Sequence, residues 1–209
     1  MILSAINWPT QKMLGASLLC ILFFTSGCLS TLELVVGDPL RRSWNTHPSV
    51  SAAPLTKEES AKFIEVAIRK RIKKPVGELT DVDLEKVTRL VLNNNQLTEV
   101  PKVLEKLTKL KELWLEGNQL TDVKGLEKLT QLEKLYLNNN QLTDVMGLEK
   151  LTKLKGLSLN DNQLTNVRGL EKLTQLTHLH LYGNKLTRAQ IEQLQKALPK
   201  CKILSNPTK

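Results

Sequence analysis

From Leu107 onward the apolar positions of the chain fall into a fixed frame. The segment LTKLKELWLEGNQLTDVKGLEK is followed at once by LTQLEKLYLNNNQLTDVMGLEK from Leu129 and LTKLKGLSLNDNQLTNVRGLEK from Leu151, and an altered copy begins at Leu173. Asn118, Asn140, Asn162 and Asn184 stand 22 residues apart, and Asn95 precedes them by 23. A period in the twenties signals a solenoid, in which each coil is too small to bury its own apolar side chains and shares them with its neighbours. Leu113 and Leu115 flank Trp114, an alternation that turns both leucines to one face of a short strand. Leu120, Val123 and Leu126 bring the chain back over the same core. Leu84, Val87, Leu90, Leu92 and Asn95 form an earlier unit with its extra residue near Pro101. Pro101 replaces the Lys, Met or Arg that precedes glycine in later units, so the outer turn there is expected to differ.

Both ends of the repeat carry helical patterns. Thr56-Lys-Glu-Glu59 reads as a capping box. Phe63, Ile64, Ala67, Ile68 and Ile72 then recur at helical spacing. Arg69, Lys70, Arg71, Lys73 and Lys74 crowd the end of this helix, where its dipole favours cations, and Pro75 and Gly77 are expected to stop it. Such a helix would close the open end of the leucine core, which solenoids require. At the other end the repeat gives way to RAQIEQLQKAL, with Ile191, Leu194 and Leu198 at helical spacing. The frame nevertheless persists: Leu176, Leu179 and Leu181 are followed 22 residues later by Leu198, Cys201 and Ile203. This predicts a convex-side helix and a sixth, closing strand, with Cys201 as a buried, inert thiol in a leucine position.

The unit L-x-x-L-x-x-L-x-L-x-x-N-x-L-x-x-V-x-G-L resembles the leucine-rich repeat family, in the 22-residue class of bacterial internalin-like proteins. The resemblance runs from roughly Leu84 to Ile203. It implies an α/β solenoid with one parallel sheet of about six short strands on the concave face, an N-terminal helical cap and a C-terminal helix. It also implies that the concave face binds proteins. Asn95, Asn118, Asn140, Asn162 and Asn184 are read as a structural ladder, because a buried amide offers both donor and acceptor to a sharp turn whose backbone groups lack partners.

Where near-identical units differ, the differences concentrate at the outward strand positions. These form three columns: Arg89, Glu112, Lys134, Gly156, His178; then Val91, Trp114, Tyr136, Ser158, His180; then Asn93, Glu116, Asn138, Asn160, Tyr182. Strands in register lie about 4.8 Å apart, so each column is a continuous stripe. Both tyrosines, two of the three histidines and the only tryptophan of the repeats fall on it. Tyrosine and tryptophan dominate protein-binding hot spots, and the candidate binding residues are Arg89, Glu112, Trp114, Glu116, Lys134, Tyr136, Ser158, His178, His180 and Tyr182. The competing reading is sequence drift at positions that packing leaves free, aided by the fitness of aromatics for exposed strands.

Chemistry in the catalytic sense is poorly represented. His178 and His180 share a strand face, but Gly156, Ser158 and Asn160 beside them add no ligand, and zinc normally takes three or four. Ser158 and His180 resemble a nucleophile and base without an acid to orient the histidine. No metal, cofactor or enzymatic activity is expected.

The first 28 residues read as an export leader: one lysine, an apolar run from Met13 to Phe24, then Thr-Ser-Gly-Cys. A short basic region, an apolar stretch and small residues at its end describe a secretory signal, and the run is short for a membrane span. Ser26, Gly27 and Cys28 resemble a bacterial lipobox, which implies acylation of Cys28, although Thr25 stands where leucine is usual. Residues 29–55, with Pro39, Pro48 and Pro54, have linker composition; Trp44 and His47 there are read as incidental. The organisation is thus leader 1–28, linker 29–55, helical cap 56–83 and repeats with a C-terminal cap 84–209.

A net charge of +9 admits an anionic partner, but Glu-Lys pairs throughout the repeats point to a solvated mixed-charge face. Cys20, Cys28 and Cys201 have no metal-ligand spacing and form no disulfide framework. The expectation is a monomeric, non-enzymatic binding module, exported and membrane-attached, that grips a protein or glycan at the cell envelope. The alternatives are an intracellular or anchored scaffold, or weak binding of an anionic surface or nucleic acid through the basic helix end; no nucleic acid is expected as the main partner.

Overall fold

A computed structural model describes residues 56–208. The leader, the linker and the readings of Cys28, Trp44 and His47 lie outside the described residues. Two helices, α1 (Lys57–Ile72) and α2 (Asp81–Glu85), lead into five strands of three residues each: β1 (Arg89–Val91), β2 (Glu112–Trp114), β3 (Lys134–Tyr136), β4 (Gly156–Ser158) and β5 (His178–His180). Helix α3 (Arg188–Ala197) and strand β6 (Lys202–Leu204) follow. The six strands form one sheet in sequence order, every pair parallel. Leu90, Leu113, Leu135, Leu157, Leu179 and Ile203 stand in register. The repeat spacing explains this for β2–β5, where a coil of 22 residues brings the same position back beside itself. In the last coil α3 takes up two more residues, so Ile203 and not Cys201 pairs with Leu179, a register two residues beyond the one that the frame predicts. The closing strand forms although α3 has replaced the usual return path.

The core is a leucine stack. Leu104, Leu126, Leu148 and Leu170 enter it from the return path and are fully buried. In the later coils that path tightens into 3-10 turns at Leu126–Lys128, Leu148–Lys150 and Leu170–Lys172. Each is preceded by a glycine at φ between 94 and 102°, a left-handed backbone that side chains disfavour. A glutamate two residues on accepts from each glycine N–H at 2.6–2.7 Å. In the middle coil its own backbone amide and that of Gly147 lower the pKa of Glu149. The first coil departs as its proline predicts. Pro101 precedes a longer 3-10 helix, Lys102–Lys106, with no left-handed residue at its start.

The asparagines tie successive coils together. Asn140 Nδ2 donates to Leu115 O (2.9 Å) and Leu137 O (3.0 Å), while its Oδ1 accepts from Leu120 N (3.1 Å). Asn118, Asn162 and Asn184 repeat this pattern in their own coils. Asn95 differs, because no strand precedes its own. It is half-buried and donates to Asn93 O at 2.7 Å. The residue before each ladder asparagine has positive φ and is Asn94, Gly117, Asn139, Asp161 or Gly183, the types that tolerate a left-handed turn.

Helix α1 starts with the capping box read from Thr56 and Glu59. It ends earlier than its proline. Lys73 takes a left-handed conformation (φ 58°) and closes the helix, since Lys74, as the residue before Pro75, is biased away from helix. A second box, Thr80 with Asp83, opens α2, which crosses the 83/84 boundary drawn from the sequence. Asp83 is buried, with Lys74 Nζ at 2.6 Å and Lys86 Nζ at 3.1 Å. Lys74 first, then Thr80 and Lys86, hold its carboxyl well below the usual carboxylate range. A third box, Thr187 with Gln190, opens α3. Cys201 is buried, and burial pushes its thiol pKa up. Every core side chain among the described residues lies between Ile64 and Cys201, and Val50–Lys209 is one compact unit. That segment therefore contains the core and both of its caps, and can fold on its own.

Candidate binding face

In β1, β2, β3 and β5 the central leucine points into the core and its two neighbours point out, as the alternation requires. The outward residues do not form one uniform stripe. On β1–β3 they make a connected cluster. Trp114 and Tyr136 are neighbours in register, with ring centroids 4.2 Å apart and planes tilted by 31°. The Arg89 guanidinium lies 5.5 Å from the centroid of the Trp114 ring, within range for a cation–π contact. Glu112 holds this group in place: its Oε1 accepts from Trp114 Nε1 at 3.0 Å, and its Oε2 faces Arg89 Nε at 3.4 Å. Trp114, Tyr136 and Glu112 are half-buried. The rings are thus stacked and oriented before any ligand arrives.

On β5 the outward residues are looser. His178 is exposed, with its Nδ1 3.0 Å from the Thr177 hydroxyl; His180 is half-buried; Tyr182, just past the strand, is 42% exposed. Lys134, beside the aromatic pair, is exposed. Between the two groups runs β4 with its small residues Gly156 and Ser158.

Ser158 does not belong to an accessible face. Only 6% of it is exposed. It stands in register between Tyr136 and His180. Its hydroxyl donates to Asn138 Oδ1 at 2.6 Å, so it is a packing residue, and its proton is directed away from His180. Among the described residues no group of three or more His, Cys, Asp or Glu side chains is arranged to hold a metal ion.

The third column also proves to be scaffold in part. Asn93 Oδ1 accepts from Glu116 N (3.0 Å), Asn138 Oδ1 from Asn160 N (2.9 Å), and Asn160 Oδ1 from Tyr182 N (2.9 Å). Glu116 is drawn into the same row, accepting from Asn138 Nδ2 at 2.5 Å. This is a second asparagine ladder on the outer side of the sheet. The sequence carried a signal for it: Asn93, Asn138 and Asn160 each stand two residues before a ladder asparagine, and drift does not produce such recurrence.

A solenoid of parallel strands, one per coil, with an asparagine at each strand-end turn defines a repeat-protein class. The family model for Leucine Rich repeats (2 copies) matches residues 85–128, 108–151, 130–164 and 152–196, and the chain belongs to the leucine-rich repeat family, whose modules typically bind proteins. Among solved structures, it is similar to an internalin from Listeria monocytogenes, with 24% identity and a TM-score of 0.55 over 70% of this chain and 50% of that one. It is also similar to a leucine-rich repeat protein of Leptospira interrogans, with 35% identity and a TM-score of 0.55 over 61% of this chain and 34% of that one. The chain thus spans half the length of the first and about a third of the second. No match was found among curated proteins.

Proposed function

We propose that the chain is an export-targeted binding module, held at a membrane by acylated Cys28, that captures a protein partner at the cell envelope on the outer face of its sheet. The observation that carries this reading is the preassembled group of Trp114, Tyr136, Arg89 and Glu112. Two large rings with few rotatable bonds, already fixed in place, lose little entropy on binding. Aromatic residues and arginine are also the residue types that dominate interface energetics. Glu112 serves to orient Trp114 and Arg89. Contact falls to Trp114, Tyr136 and Lys134, with His178, His180 and Tyr182 as a second group across β4.

The test is capture of envelope proteins by the full chain, wild type against Trp114→Ala/Tyr136→Ala. Both rings point out of the core, so the variant is expected to fold. Loss of a hot-spot pair predicts affinity reduced by about 30-fold or more. A ligand retained equally by both proteins would locate the binding site elsewhere. Acylation is tested separately by fatty-acid labelling of the wild type and Cys28→Ser; label that survives the substitution removes the tether from the proposal.

A further inference from the structure

Helix α1 buries Ile64 and Ile68 against the first coil. On its opposite face Lys62, Val66 and Lys70 follow one another at intervals of four, and Lys73 lies three further on. Val66 is 48% exposed, and Val76, beyond the helix, is 77% exposed. Val66, Arg69, Lys70, Lys73 and Pro75 line a groove of ≈ 500 Å³. The charges around it are not all neutralised locally. Arg69 is bound by Glu65 and Lys74 by Asp83, but Lys62, Lys70 and Lys73 make no ion pair among the described residues. Of the acidic residues in the first turn, Glu58 stands one turn before Lys62 on the same stripe but forms no ion pair with it, and the end of the helix at Lys70 and Lys73 is far from both Glu58 and Glu59. The helix dipole accounts for cations in the last turn. It does not account for aliphatic side chains left in solvent between them.

We infer that this outer face of α1, with Val76 beside it, docks on an anionic phospholipid surface. Charge complementarity selects the occupant. Unpaired lysines are drawn to acidic headgroups, while Val66 and Pro75, which line the groove with Lys70 and Lys73, and exposed Val76, next in the chain, are of a size and polarity to enter the headgroup–acyl boundary. Single-stranded nucleic acid would call for rings on which bases stack, and the exposed apolar side chains here are aliphatic. The inference needs neither acylation of Cys28 nor a ligand on the sheet; it gives the cap a surface that sets the orientation of the solenoid at a membrane.

The test uses the Val50–Lys209 segment, which lacks the leader, in co-sedimentation with vesicles of phosphatidylcholine alone or with added phosphatidylglycerol. Each basic residue at an anionic surface contributes about fivefold in partitioning, so three free lysines predict roughly a 100-fold preference for the anionic vesicles, weakened by salt. Lys62→Gln/Lys70→Gln/Lys73→Gln is expected to abolish the preference without altering thermal unfolding. Val66→Ser/Val76→Ser is expected to weaken binding severalfold on anionic vesicles while leaving the salt response in place. Equal sedimentation with both vesicle types would overturn the inference. So would full binding by a folded triple-glutamine variant, or tighter binding to a single-stranded oligonucleotide than to the anionic vesicles.

Discussion

Two asparagine ladders cross the sheet, and they differ in what surrounds them. In the inner one Asn118, Asn140 and Asn162 are buried, and each amide serves the backbone of its own coil and of the one before. In the outer one Asn93, Asn138 and Asn160 are half-buried, and each serves the next strand from the solvent side. The bond lengths are alike. The cost of losing them should not be, because water can replace a partner only where it can reach.

Asn140→Ala should show the largest effect. It leaves Leu120 N without a partner in the core and takes from Leu115 O and Leu137 O one of their two amide donors, Asn118 and Asn162 supplying the other; a buried unsatisfied group costs about 1–3 kcal/mol. A loss near the top of that range corresponds to a fall in Tm of about 6–12 °C for a unit of this size. Urea or thermal unfolding measures it, and a variant that melts with the wild type would refute the structural reading of the ladder. Asn160→Ala removes the acceptor for Tyr182 N, at a face that water reaches; about 1 kcal/mol is expected. If it proves as damaging as Asn140→Ala, solvent access is not what separates the ladders. Asn95→Ala tests the frayed end of the inner ladder. Its amide donates only to Asn93 O, so the expected loss is about 0.5 kcal/mol, despite an identical place in the repeat.

The contrast also marks what the chain disclosed in advance. Repeat length accounted for the register of the first five strands and the leucine core and pointed to a sixth strand, but it set that strand two residues off: Ile203, not Cys201, stands beside Leu179, because α3 lengthens the last coil to 24 residues. The Thr56 box was legible from four consecutive residues. The Thr80–Asp83 box uses the same geometry with an aspartate in place of glutamate, and α2 went unread for that reason. Ser158 was misplaced because it is buried and its hydroxyl is held by Asn138 of the preceding coil, a partner that no local pattern couples to it. The outer ladder was missed by treating every non-leucine strand position as free to vary, although Asn93, Asn138 and Asn160 recur. The aromatic cluster was found as a column, but the locking of Trp114 by Glu112 depends on side-chain geometry within one strand.

Acid sharpens the comparison further, since neutral amides do not titrate and the inner ladder should be indifferent to pH. The N-terminal cap should not be. The Asp83 carboxyl is held below its ordinary range, chiefly by Lys74. A carboxylate with a depressed folded-state pKa contributes stability that is fully present above its unfolded pKa of about 3.9 and is lost as pH falls through the folded value. Asp83→Asn should therefore lower Tm at neutral pH and flatten its decline between neutral and strongly acid solution, where the two proteins converge. The shift should be smaller than that of Asn140→Ala, because Lys74 and Lys86 remain partly exposed to solvent screening. A Tm difference that persists undiminished in strong acid would mean that Asp83 acts through packing or its cap on α2, and that the cap, like the inner ladder, is held by neutral hydrogen bonds.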